Sequence, residues 1–166
     1  MISGSTVTVT GSNVGATKEP GEPNHAGNAG GKSVWWNWTA PSSGRVQIDT
    51  IGSSFDTVLG VYTGSSVSSL TRVASDDDSG GNLTSKVGFD AVGGTIYHIA
   101  VDGYNGRSGN ITLHVSLQSG PPNDNFANAG VISGSTVTVT GSNVGATKEP
   151  GEPNHAGNAG GKSVWW

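Results

Sequence analysis

The sequence predicts an all-β protein, an antiparallel β-sandwich of jelly-roll-like type with about eight short strands. Three observations predict it. Apolar and polar residues alternate with a period of two along most of the chain, and the spacing of an amphipathic helix is nearly absent. The alternating runs recur at intervals of roughly ten residues, divided by Gly, Pro, Asn and Ser turns. Gly accounts for 28 of 166 residues, more than twice the usual share. It has no Gly-X-Y period, so the excess marks turns and not a collagen helix.

Taken in order, Thr6 to Thr10 alternates cleanly, and Val34, Trp36 and Trp38 form a second apolar row. Val46 and Ile48 follow the turn Pro41-Ser42-Ser43-Gly44. Thr57 to Tyr62 is apolar on both faces, which predicts a strand covered on both sides. Leu70 to Ala74 reads as a short strand, and Val87, Phe89 and Ala91 alternate. Gly93-Gly94 turns the chain into Thr95 to Asp102, with Tyr97, Ile99 and Val101 on one face. After the Asn105-Gly106 turn signal, Ile111, Leu113, Val115 and Leu117 alternate with polar residues. Lys18 to Gly31 reads as a long Gly/Pro/Asn loop, exposed to solvent.

The chain is also a repeat. Ile2 to Trp36 recurs letter for letter as Ile132 to Trp166, an offset of 130 residues. That period is a whole globular module and not a solenoid unit. The organisation expected is a module over 2–118 that lacks its opening segment, then a linker with the opening segment of the next repeat over 119–131. A duplicated fragment of that next repeat fills 132–166. Met1 stands where Val131 stands in the next round, so the chain reads as an excerpt of an array.

Composition excludes several functions. The net charge of −4 argues against a nucleic-acid partner. No apolar run is long enough for a membrane span, so no membrane insertion is expected. The absence of Cys rules out thiol catalysis, Cys-ligated zinc and disulfides. There is no His-Glu-x-x-His and no Gly-x-Ser-x-Gly, and no paired catalytic groups emerge, so the module is expected to be non-catalytic.

Several blocks run in a familiar order: Ser33 to Pro41 (SVWWNWTAP), Ile48-Asp49-Thr50, Phe55 to Leu59 (FDTVL), Tyr62-Thr63-Gly64, Ala74 to Asp78 (ASDDD) and Gly94 to Gly103. This pattern, covering most of residues 33 to 117, resembles the bacterial pre-peptidase C-terminal domain and its relatives, among them the collagen-binding domains of secreted collagenases. The resemblance implies a β-sandwich of secreted or surface proteins without catalysis of its own. It also implies calcium, bound in several relatives through an opening Glu-Pro-Asn-Asp signature and an acidic loop. Here the opening reads Pro121-Pro122-Asn123-Asp124, without the leading Glu.

The candidate metal ligands are Asp76, Asp77 and Asp78 in a Gly/Ser loop with Asn82. Calcium takes six to eight hard oxygens, which such a loop can supply in part; the alternative is a solvated acidic turn. Asp56 is a further candidate, and Asp124 belongs to the opening signature. Glu19, Glu22 and Asn24 form a second oxygen-rich loop, whose alternative is an ordinary connection. Asp102, beside apolar residues, is expected to fasten a loop. Alternation places Trp36 and Trp38 in the core and leaves Trp35 as the exposed contact for a ligand. His98 and His114 read as satisfied surface histidines.

The duplicated end lacks the body, 37–117, on which it should pack. Val137, Val139, Val164, Trp165 and Trp166 would then expose apolar surface and open strand edges. Such a tail can dock on its own body or on that of another chain, the second giving a head-to-tail contact that grows a filament. The expectation is a structural repeat of a secreted or cell-surface bacterial fibre or adhesin-like protein, its main partner being itself. The alternative is a calcium-dependent module for collagen-like protein or polysaccharide, appended to a secreted hydrolase.

Overall fold

The computed structural model describes residues 1–166. Eight strands form: β1 (Thr6–Ser12), β2 (Val34–Thr39), β3 (Gly44–Asp49), β4 (Thr57–Thr63), β5 (Thr71–Asp76), β6 (Lys86–Ala91), β7 (Ile96–Gly103) and β8 (Asn110–Ser119). They make two antiparallel four-stranded sheets, ordered β1-β8-β3-β6 and β2-β7-β4-β5. Chain neighbours fall in opposite sheets except at the β4–β5 hairpin, and this is the jelly-roll order. No helix is long and apolar enough to cross a membrane.

The core lies between the sheets. One wall carries Val46, Ile48, Val87, Phe89, Ile111, Leu113 and Val115; the other carries Trp38, Leu59, Val61, Tyr97, Ile99 and Val101. Each set occupies every second position of its strands, so the pleat itself sorts the sequence into core and exterior. Trp38, fully buried, packs on Tyr97 at 5.7 Å and donates its indole N–H to Gly4 O. Trp36 is half-buried against the same core.

The stretch from Asn13 to Ser33 departs from the exposed loop its composition predicts. It lies over the outer face of the β2-β7-β4-β5 sheet as an irregular third layer, with Asn13, Glu22, His25 and Ser33 buried. That layer explains why β4 is buried on both faces: Leu59 and Val61 face the core, while Gly60 and Tyr62 face the layer. Gly60 has to be Gly, because a Cβ there would lie 2.6 Å from the Tyr62 ring and 2.9 Å from His25 Nδ1.

The duplicated fragment supplies all of β1 and the first half of β2, Val34–Trp36. β1 ends one sheet and β2 ends the other, so residues 2–36 add edge strand, β1 and the first half of β2, and the outer layer of 13–33 to a frame made by 37–119. In the second copy, 132–166, no strand forms, and Val137 and Val139 are 45% and 44% exposed.

Candidate functional site

Two loops at one end of the sandwich are fastened together by buried hydroxyls. Thr50 Oγ1 lies 2.6 Å from Thr57 Oγ1, the Ser85 amide donates to Thr50 Oγ1, and Ser85 Oγ donates to Thr57 O. This brings the start of β4 against the β5–β6 loop. Asp56, Asp77 and Asp78 meet there, each offering a carboxylate oxygen within 4.8 Å of the others. Asp56 Oδ1 and Asp77 Oδ1 are buried without a hydrogen-bond donor.

Burial pushes the Asp56 carboxyl above the usual carboxylate range, and the Asp78 charge adds to it; Arg107 Nε, 3.9 Å away and exposed, offsets only part. Asp77 is raised by burial and then by Asp78, Asp56 and Asp76. Two buried oxygens that no donor satisfies, in a cluster of like charge, are the donor set a divalent cation completes. Asn82 and Leu83, in the same loop, adopt left-handed φ values of 51° and 61°, a conformation that costs energy for a residue like leucine.

Asp76, although part of the Asp run, stands apart from the cluster. It accepts from the Ser79 amide, Ser79 Oγ and the Lys86 amide, and these bonds, working against burial, hold its carboxyl below the usual range. It shapes the loop that presents its neighbours.

Glu19, Glu22 and Asn24 do not gather around a common point. Asn24 Oδ1 accepts from Lys18 Nζ, and Glu22 Oε2 accepts from the Glu19 amide. Glu22 Oε1 lies 2.9 Å from His25 Nε2, and His25 Nδ1 lies 2.7 Å from the Tyr62 hydroxyl. Trp35 closes the cluster, its ring 5.5 Å from His25 and 5.8 Å from Tyr62. It also lines a groove of about 280 Å³ with Asn37, Val67, Leu70 and His98. His98 is tied to Asn37 Oδ1 and Gly64 O, and His114 to Asp49. His25 carries no signal in the sequence, since a His in a Gly/Pro loop belongs to no periodic pattern.

Burial drives His25 below the usual imidazole range, against the pull of Glu22 and Asp102. Burial pushes the Tyr62 hydroxyl up to about 12, so it stays protonated and donates to Nδ1, leaving the Nε2 proton for Glu22. An unfolded His titrates near pH 6.5, whereas folded His25 stays neutral to lower pH. Between those values the unfolded chain binds more protons, so stability falls as pH falls. Thermal melts should therefore show a His25 contribution to the midpoint, read against His25→Gln, that declines from pH 7 to pH 5. The His25→Gln variant should melt lower at pH 7 yet lose less over that window; parallel pH profiles for the two proteins would refute the assignment.

Asp102 fastens the outer layer. Its carboxylate accepts from the Gly31, Lys32 and Gly103 amides at 2.7–3.1 Å. Asp124, in the opening signature, is occupied by the tail, accepting from the Thr147 amide and from Thr147 Oγ1. The tail is thus docked, on the end of β8 and residues 120–130 and not on the sandwich core. The Trp165 amide donates to Asn123 O, the Gly130 amide and Asn123 Nδ2 donate to Trp165 O, and Phe126 packs edge-on to Trp165 at 5.1 Å. Trp166 is 48% exposed and Val164 half-buried. Comparison with known protein families and with curated proteins finds no match.

Proposed function

We propose that the chain is a non-catalytic structural module of a secreted or cell-surface bacterial protein, repeated in tandem and joined head-to-tail by strand complementation. The observation that carries this reading is the unmatched state of the second fragment. Residues 136–142 have the letters of β1, which in the first copy pairs with β8 from Thr6↔Ser116 to Ser12↔Asn110. In the tail the same letters pair with nothing, and their valines stand exposed. Because 2–36 contributes edge strand and an outer layer but no inner strand, the tail of one molecule, with the same letters, can replace that fragment on the body of another without reordering either sheet. Each exchange leaves a further tail and a further body, so the contact does not close.

Calcium has a defined place in this reading. Asp56, Asp77 and Asp78 would hold it, with backbone carbonyls and water completing the shell, and it would lock the β5–β6 loop to the start of β4. The module's role is mechanical, and the cation serves rigidity.

Concentration-dependent self-association tests the assembly. Light scattering behind size exclusion should give a mass that grows with loading concentration. The double variant Val137→Asp/Val139→Asp should remain monomeric with an unchanged melting midpoint, because both side chains are exposed in the free chain. A single-chain mass at every concentration would overturn the proposal.

A further inference from the structure

Along the loop from Asn13 to Trp35 and its copy from Asn143 to Trp165, the two fragments share contacts but not a setting. Lys18 Nζ bonds Asn24 Oδ1 and Ala29 O, as Lys148 Nζ bonds Asn154 Oδ1 and Ala159 O. Glu19 and Glu22 make the same amide contact as Glu149 and Glu152, both at 2.9 Å. Trp35 meets His25 at 5.5 Å and 73°, and Trp165 meets His155 at 5.5 Å and 71°. What touches one copy can therefore be transferred to the other by adding or removing 130 residues.

What touches them differs, and the differences are complementary. The body buries His25 and Asn13, whose counterparts His155 and Asn143 are exposed. The end of β8 and the segment that follows it, 118–130, bury Gly145, Ala146 and Thr147, whose counterparts Gly15 and Thr17 are exposed and Ala16 half-exposed. Each copy has the half of its surroundings that the other lacks.

The backbone at Trp35 points the same way. Ile2 N donates to Asn37 O on the side of β2 that faces away from β7. In an antiparallel strand, groups two residues apart point to the same side, so the N–H and C=O of Trp35 also face the open edge. The corresponding groups of Trp165 are the ones satisfied by Asn123 and Gly130. Phe126 N donates to Glu149 Oε2, and its ring lies on Trp165. Carried across, that ring enters the groove between Trp35 and Glu19, where Val67 and Leu70 add apolar wall that the tail does not have.

We propose that the open β2 edge at Trp35, together with Gly15–Glu19, is a docking site for the opening segment Pro122–Gly130 of a second copy of this chain. Asp124 of the incoming segment takes the amide and hydroxyl of Thr17, Phe126 fills the groove, and Asn123 and Gly130 complete the edge. The inference rests on the repeat reading and deepens it. A body that exchanges its own 2–36 for another molecule's 119–166 gains a fragment already fitted with this segment, which favours exchange over the isolated chain.

The test uses isotope-labelled full-length chain, in the Val137→Asp/Val139→Asp background to hold off exchange, titrated with a synthetic peptide of residues 119–131. Amide shifts are expected at residues 15–19 and 35, with 145–149 left in place. A Phe126→Ala peptide should bind at least tenfold more weakly, and Glu19→Ala in the chain should weaken the parent peptide several-fold. Absence of shifts at 15–19 and 35, or equal binding of the Phe126→Ala peptide, overturns the site. The outcomes separate from those of the assembly test: a parent chain that stays monomeric while the peptide binds removes exchange and leaves the site standing.

Discussion

Asp102→Ala is expected to destabilise the module by about 3 kcal/mol or more, the scale of leaving three buried amides without their acceptor, and to lower its melting midpoint by roughly 10 °C. The carboxylate is fully buried and accepts from three backbone amides, two of them in the outer layer, seventy or more residues away in sequence. Without it, these amides lose their acceptor under a layer that admits little water, at about 1–3 kcal/mol for each that stays unsatisfied. Gly30 shows how tightly the carboxylate is held, since a Cβ at that position would collide with it. Urea unfolding gives the magnitude, and hydrogen exchange gives the location: the Gly31 and Lys32 amides should lose protection while β3 and β8 keep theirs. The tail provides an internal reference, because Gly161 and Lys162 have no carboxylate above them. An Asp102→Ala protein as stable as the parent would mean that the outer layer is held by its aromatic contacts and by the hydrogen bonds of His25 and Asn13, without need of the carboxylate.

How much of this was legible in the sequence follows from how each part is held. The eight strands are written in local alternation, because a strand with one wall in the core must place apolar residues at every second position. Val46/Ile48 and Ile111 to Leu117 are plain cases. The double burial of β4 was also visible in Thr57 to Tyr62, but not what covers it. The covering layer is made of Gly, Pro and Asn and is held by single long-range bonds: Asp102 to Gly31 and Lys32, His25 to Tyr62, and Asn13 to Arg107 and Gly109. Such bonds leave no period in the chain. The acidic run at 76–78 was equally plain, yet sequence could not tell that Asp76 turns back to Ser79 while its neighbours face Asp56. That division comes from the β5–β6 turn and from the Thr50–Thr57–Ser85 clasp, both products of topology. The duplicated end was legible to the letter, whereas its partner, the opening segment, is chosen by edge hydrogen bonds and one Phe–Trp contact.

Calcium is expected to raise the melting midpoint of the full-length chain, and Asp77→Asn to abolish that rise. Without a cation, Asp56 and Asp77 have folded pKa values above their unfolded ones, through burial and mutual repulsion. The folded state thus binds more protons than the unfolded state at pH values between the two, and stability rises as pH falls through the folded values toward about 3.9. In chelator, the site is a liability at neutral pH. Asp77→Asn should then melt at or above the parent, since one repelling charge is gone and an amide N–H is supplied beside Asp56. Calcium at one hundred times its dissociation constant adds about 2.7 kcal/mol to the parent, a shift of roughly 5–10 °C, which reverses the order of the two proteins. Asp76→Asn is the control for loop damage. Its carboxylate is occupied by Ser79 and Lys86, so this variant should lose stability in chelator and yet keep a response to calcium. The crossing of parent and Asp77→Asn on addition of calcium is the signature of ligation, because a purely structural acidic turn would leave their order unchanged. Calorimetric melts in chelator and in millimolar calcium measure it, and a parent midpoint that ignores calcium would exclude a cation at Asp56, Asp77 and Asp78.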